Sequence, residues 1–393
     1  MFRNLLIVLL MAFAAIAPID ASAGGSAVNI IYTGALHGEL EPCGCSPKNQ
    51  SGGLTRLAAF VSLRKTALSP YLLVDAGNSM AGDTPQGRLK VEAMLGAYNI
   101  IGYDAVAFLG SDTSLPKAFL TPLIDANKVP AVFEGGGRVV ERGGLKINIS
   151  ANGSAPRPGM LNILLTEMPV AEAALLEGWQ VIITSSGEVM AEPRLRPEAK
   201  GGVVVSAWPK GERFGILTID VDKAGDLKSV SHRWEALAMD APEDARVRGV
   251  LLAYDEKVAA LLKDEERKAA SDGPYLGAEA CAACHQPFAE QWRATRHSGA
   301  FKDLERVGKS KDPECVKCHT TGYGLEGGFY SKTTTPGLAG VQCEVCHGPG
   351  RGHVMDFSLP MRPVDESLCR ACHTRENSPE FDFKTYFEKI RHE

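Results

Sequence analysis

One five-residue pattern, repeated four times in the last third of the chain, limits what this sequence can fold into more than any other feature. It reads Cys281-Ala-Ala-Cys284-His285, Cys315-Val-Lys-Cys318-His319, Cys343-Glu-Val-Cys346-His347 and Cys369-Arg-Ala-Cys372-His373. Two thiols three apart followed at once by histidine form the attachment pattern of c-type haem, in which the thiols bond the porphyrin edge and the imidazole binds iron. The four copies use eight of the 10 cysteines and four of the 9 histidines. A zinc ribbon or a disulfide-stapled tail gives no reason for histidine to follow each pair. The pattern therefore predicts four covalently attached haem c groups, with His285, His319, His347 and His373 as proximal iron ligands.

Successive motifs lie about 25 to 35 residues apart, too little chain per site to build separate hydrophobic cores. The porphyrins must then supply much of the buried apolar surface and lie close together. Short helices are expected around them, with Gly- and Pro-rich loops at 322–328 and 348–352 and little sheet. Each motif provides one iron ligand, and the sixth position decides between carrier and catalyst. His297, His353 and His392 are the distal candidates in this region, so four irons meet three local histidines. Met355, Met361, His37, His232 or a histidine of a neighbouring subunit are the alternatives for the remaining position.

Residues 1–23 read as a secretory leader: Arg3, an apolar run from Leu5 to Ala17, then Ala21-Ser22-Ala23 as a small-x-small cleavage pattern. The apolar run is too short to span a bilayer and no cysteine sits at the expected cut, so no membrane anchor is expected and the location is periplasmic or secreted. Thioether attachment on the exported side fits the motif count. With 45% hydrophobic residues and a formal net charge of −5, composition offers no basic excess for nucleic acid and no polybasic helix for a membrane surface.

From residue 24 to 238 the pattern is that of an α/β domain. Short apolar runs at 28–32, 71–75, 105–109, 181–183 and 202–206 read as buried strands, with 214–222 entering a turn at Ala224-Gly225. Helical spacing appears over 54–68, 88–100 and 171–177, giving a layered, mixed two-sheet sandwich. Residues 239–274 form a helix and linker. Val247, Leu251, Tyr254, Val258 and Leu261 make one apolar stripe over 239–268 for packing on the α/β domain, and Ser271-Asp-Gly-Pro274 ends it.

Residues 28–237 resemble the 5′-nucleotidase and UDP-sugar hydrolase branch of the metallophosphatases. The likeness runs through Ile30-Ile-Tyr-Thr-Gly-Ala-Leu-His-Gly38, Gly52-Gly-Leu-Thr-Arg-Leu57, Leu72-Leu-Val-Asp-Ala-Gly-Asn78 and Tyr103-Asp-Ala-Val-Ala-Phe-Leu-Gly-Ser-Asp112. The resemblance implies strand ends whose Asp and His residues hold two metal ions that activate water and clamp phosphate. Here Ala35 stands at the first Asp, leaving His37, and Asn78 replaces the bridging Asp. Ser111-Asp112, Thr166-Glu167 and Ser186-Gly-Glu188 stand where the remaining histidine motifs are expected. An inactive domain, serving as scaffold or docking surface, is expected. Cys43 and Cys45, in Pro42-Cys-Gly-Cys-Ser46, are open to three readings: a disulfide or free thiol pair, a small metal site with His37, or a contact surface for the haem region.

Residues 275–393 resemble the cytochrome c-554 type tetrahaem family. Beyond the four motifs, the likeness rests on Trp292-x-x-x-x-His297, Asp312-Pro-Glu-Cys315, His319-Thr-Thr-Gly-Tyr-Gly324 and Gly340-Val-Gln-Cys-Glu-Val-Cys-His-Gly-Pro-Gly350. It implies distal roles for His297, His353 and His392 and an open iron at the Cys315/Cys318/His319 site. The expected function is electron transfer with redox partner proteins, other cytochromes or quinol-linked complexes, and homo-oligomers are allowed. The enzyme alternative is a multihaem oxidoreductase acting on a small nitrogen-oxide type molecule at the open iron.

Overall fold

A computed structural model describes residues 26–42, 51–196, 202–222, 226–266, 273–375 and 377–392. The leader at 1–23, Cys43, Cys45, the Ala224-Gly225 turn and Ser271 lie outside the described residues. The strands are β1 (Ser26–Thr33), β2 (Tyr71–Asp75), β3 (Ala105–Phe108), β4 (Ala131–Phe133), β5 (Gly137–Arg142), β6 (Leu145–Ala151), β7 (Leu161–Thr166), β8 (Val181–Thr184), β9 (Arg194–Arg196), β10 (Gly202–Ser206), β11 (Phe214–Val221) and β12 (Leu227–Glu235). They form two six-stranded sheets, ordered β12-β11-β1-β2-β3-β4 and β5-β6-β7-β8-β10-β9. In the first sheet β1 to β4 run parallel and β11 and β12 are antiparallel. In the second, β6, β7, β8 and β10 are parallel between antiparallel edges.

The sheets face each other over a core that includes Val28, Ile30, Val74, Ile147, Ile163 and Val205. Helices α1 (Leu54–Leu68), α2 (Pro85–Ile101) and α3 (Lys117–Ala126) cover the outer face of the first sheet around Met94, Leu95 and Phe108. The expected mixed sandwich is the fold.

Local expectations hold unevenly. Helix α1 and strands β2 and β10 have the expected bounds, whereas α2 starts at Pro85 because Thr84 caps it, accepting from the Gly87 amide at 2.9 Å. Helical spacing at 171–177 yields only α4 (Val170–Ala173). After it the chain tightens into Leu175 N to Glu172 O and Leu176 N to Ala173 O bonds and turns at Gly178, which seats Trp179 in the core. The helix expected at 239–268 is α5 (Ala245–Glu266), because Asp244 caps its first amides. Its Val247, Leu251, Tyr254 and Val258 are buried against the α1 and α2 layer.

Beyond residue 273 the chain is made of short helices: α6 (Ala278–Arg293), α7 (Ala300–Arg306), α8 (Pro313–His319), α9 (Cys343–His347), α10 (Arg351–Met355), α11 (Glu366–Arg370) and α12 (Phe383–Phe387). The described β structure there is one Thr320–Ala339 bridge. Among the described residues its apolar core is one small cluster, Phe301, Leu304, Val316, Phe329 and Leu338. Glycine is needed where the linker's end meets the 322–328 loop: a Cβ on Gly273 would stand 2.1 Å from the Gly327 Cα. No helix among the described residues is long and apolar enough to cross a membrane.

Candidate functional site

Each motif sits on or at the end of a short helix that local chemistry starts and stops. Asp312 caps α8 by accepting from the Glu314 amide, and Asp365 caps α11 by accepting from Ser367 and Leu368. The first motif lies in α6, whose path breaks at His285 (φ −117°), two residues before Pro287. Buried Glu344, between the third pair of thiols, accepts from the amides of Leu276, Gly277 and Gly350 at 3.0, 2.8 and 2.7 Å. It thereby ties the start of α6 to α9 and to the 348–352 loop. Gln342 adds bonds from its amide nitrogen to Gly337 O and Ala339 O.

The histidines are arranged in pairs. Ring centroids are 6.4 Å apart for His285 and His353, 6.2 Å for His373 and His297, and 5.9 Å for His347 and His392. An imidazole–iron–imidazole unit with metal–nitrogen bonds of about 2 Å sets its ring centroids roughly 6.3 Å apart. All three spacings fit an iron between the rings. His353 Nδ1 lies 2.8 Å from Leu359 O and His392 Nδ1 3.2 Å from Ile390 O, leaving Nε2 as the ligating atom when Nδ1 carries the proton. Burial, with a smaller effect from the facing His373, lowers the His297 pKa. Burial likewise lowers those of His347 and His373. The neutral imidazole, the form that binds metal, is favoured at each.

His319 belongs to no such pair among the described residues. Its Nδ1 lies 2.7 Å from Ala300 O, which orients the ring with Nε2 free. His232 is engaged elsewhere, 2.8 Å from the Tyr32 hydroxyl in the α/β sandwich. The Met355 side chain stands exposed on the end of α10.

The thiols show how the motifs neighbour one another. The Cys281 thiol of the first motif neighbours Cys343 of the third, and Cys372 of the fourth neighbours Cys318 of the second. Burial raises the Cys346 pKa, with a smaller contribution from nearby Cys369, so the third motif also lies near the fourth. Burial pushes the Cys315 thiol up to about 12.

At the strand ends of the sandwich, Ala35, His37 and Asn78 hold left-handed backbone conformations with φ of 53°, 51° and 54°. The Asn78 side chain donates to Ser185 O at 3.1 Å and accepts from the Ser111 amide at 2.8 Å, so a hydrogen-bonded bridge occupies this corner. Burial and the Lys210 charge lower the His37 pKa. Among the described residues, no group of three or more His, Cys, Asp or Glu side chains is gathered to hold an ion directly.

Residues 280–348 match the family model described as cytochrome c554 and c-prime. The chain is 38% identical over 146 residues to cytochrome c-554 of Nitrosomonas europaea, a match covering 28% of this chain and 62% of the relative. The C-terminal region is thus similar to multihaem c-type cytochromes. The same region is also 33% identical over 87 residues to the C-type polyheme cytochrome OmcB of Geobacter sulfurreducens, across 21% of this chain and 12% of that one. The chain thus spans less than two thirds of the length of these relatives. Among solved structures it is similar to the 5′-nucleotidase precursor from Thermus thermophilus, with 22% identity and a TM-score of 0.50 over 60% of each chain. That likeness establishes the metallophosphatase-like fold ahead of the cytochrome region.

Contacts between sandwich and cytochrome region are invisible in the sequence. Gln86 donates to Asp312 at 2.8 Å, Lys90 pairs with Glu314 at 2.7 Å, and Lys309 pairs with Asp255 at 3.1 Å and Glu41 at 3.5 Å. All but the Lys309–Asp255 pair join residues more than 200 positions apart, and no spacing rule foretells them.

Proposed function

We propose that the chain is an exported tetrahaem electron carrier with three closed irons and one open iron. The observation that carries this reading is the set of three histidine pairs at iron-bridging distance, with His319 outside it. His285 and His353 would hold the first iron, His347 and His392 the third, and His373 and His297 the fourth, while His319 alone would hold the second. The eight motif cysteines supply the thioether anchors. Bound haem supplies one-electron exchange at iron, and ligation by two imidazoles keeps geometry nearly constant between redox states. Backbone carbonyls orient the His319, His353 and His392 rings, and the neighbouring thiols support an order of sites first, third, fourth, second.

The sandwich acts as scaffold in this reading. The Asn78–Ser111–Ser185 bridge stands where a two-metal site would need an anionic ligand, since an amide is a poor bridge between two cations. Metal-dependent hydrolysis of a 5′-nucleotide by the purified protein would overturn that assignment. The leader pattern at 1–23 supports a periplasmic or secreted location, where other cytochromes or quinol-linked complexes are the redox partners.

A second reading follows from the unpaired His319: an open iron can bind a small molecule such as a nitrogen oxide and exchange electrons with it. Two measurements on the intact protein test the proposal. Mass spectrometry should find four haems per chain, and carbon monoxide titration of the reduced protein should saturate at one equivalent. Zero or two equivalents would overturn the assignment of the open site, and turnover of a nitrogen oxide would establish the second reading.

A further inference from the structure

The described hydrogen bonds and ion pairs from the sandwich to the cytochrome region land on residues 309–314, the segment that leads into the second motif. Lys90 lies on α2 with its side chain only 10% exposed, and its ammonium sits 2.7 Å from the Glu314 carboxylate. Glu314 immediately precedes Cys315 within α8, a seven-residue helix that ends at His319. The residues in the same position before the other three motifs are Ala280, Gln342 and Leu368, all uncharged. The second motif alone carries an acid there, and the sandwich supplies its counter-charge. Asp312, two residues earlier, receives a neutral donor, Gln86, which is also 3.0 Å from the Tyr254 hydroxyl on α5. Lys309 is held by Asp255 and Glu41. Glu39 faces Lys90 and Lys210 from the loop after β1.

We propose that Lys90 is a potential-setting residue for the haem held by Cys315, Cys318 and His319, and that this is what the α/β sandwich contributes to electron transfer. An unpaired carboxylate beside a haem favours the more positive oxidised iron and lowers its reduction potential. The Lys90 ammonium, largely withdrawn from water, cancels the Glu314 charge at close range and keeps the potential higher. The effect is local, because the first, third and fourth motifs receive none of these contacts. The inference rests on the reading of His319 as the ligand of the open iron only for the label by which this haem is recognised.

The test is a spectroelectrochemical titration of the full haem-loaded chain that resolves four midpoint potentials, with the high-spin signal followed separately. Lys90→Met should lower one midpoint and Glu314→Gln should raise the same one. The double variant Lys90→Met/Glu314→Gln should return it close to wild type, with the other three unmoved throughout. Both single shifts should shrink at high ionic strength, since Glu314 is half exposed. A general loosening of the interface would move both single variants in one direction, and that result, or shifts spread over all four haems, would overturn the inference. The more exposed Glu314 variant keeps the test available if Lys90→Met fails to fold. Absence of a high-spin signal in the wild type would count against the open-iron assignment instead, while opposite shifts of a single midpoint would still support the role of Lys90.

Discussion

The substitution His353→Ala removes one side of the first histidine pair with little else attached. The His353 side chain lies on the short α10, and beyond the facing His285 ring it contacts the Phe357 ring and Leu359 O. Losing the Leu359 hydrogen bond costs about 1 kcal/mol, so the fold should persist. On the proposed pairing, the facing His285 ring, 6.4 Å away, would stay with the iron, which would lose its sixth ligand because no other histidine is paired with His285 among the described residues. The expected change is therefore countable: open irons rise from one to two per chain. Carbon monoxide titration of the reduced variant should saturate at two equivalents, and the high-spin share of the oxidised spectrum should double. An unchanged stoichiometry of one, with spectra matching wild type, would refute the pairing of His353 with His285.

Two further outcomes concern the sandwich. Leu251→Ala empties a fully buried site where α5 packs on the α1 and α2 layer, so urea unfolding followed by far-UV circular dichroism should show a loss of about 2–5 kcal/mol with the haem spectrum unchanged. A loss below about 1 kcal/mol would mean that α5 is not integral to that core. Burial pushes the Asp112 carboxyl up to about 7, against about 3.9 in an unfolded chain. The folded state keeps a proton that the unfolded chain has released between those values, so this group makes stability fall as pH rises from about 4 to about 7. Asp112→Asn should remove that slope, changing the wild-type-minus-variant stability by on the order of 1–4 kcal/mol between pH 4 and pH 8; a pH-independent difference would refute it.

What the sequence revealed depended on whether the cause was local. The four motifs were legible because covalent chemistry fixes their spacing, and α1 and β2 because their apolar patterns are long or bounded by turn residues. The β5–β6 hairpin was missed although its signal is present: Arg142 pairs with Leu145 across Gly143-Gly144, both at positive φ, the conformation a two-residue hairpin turn demands. Helix α4 was overestimated because Leu175 and Leu176 continue the helical spacing while the need to bury Trp179 and begin β8 ends the helix early. The tally of distal histidines could be made from the sequence, but not their partners. His285 and His353 are brought together by Glu344, which joins the start of α6 to the loop before α10, an arrangement of tertiary origin. The same holds for the Lys90–Glu314 contact, in which two ordinary surface-type residues acquire a role only when the two parts of the chain meet.

The proposed haem array is asymmetric, with three irons closed by histidine pairs and one, at His319, left open. Low-temperature electron paramagnetic resonance of the oxidised, haem-loaded protein, with spins quantified against the total haem, tests it most directly. Three low-spin haems and one high-spin haem per chain are expected. A spectrum in which all four are low-spin would contradict the asymmetry.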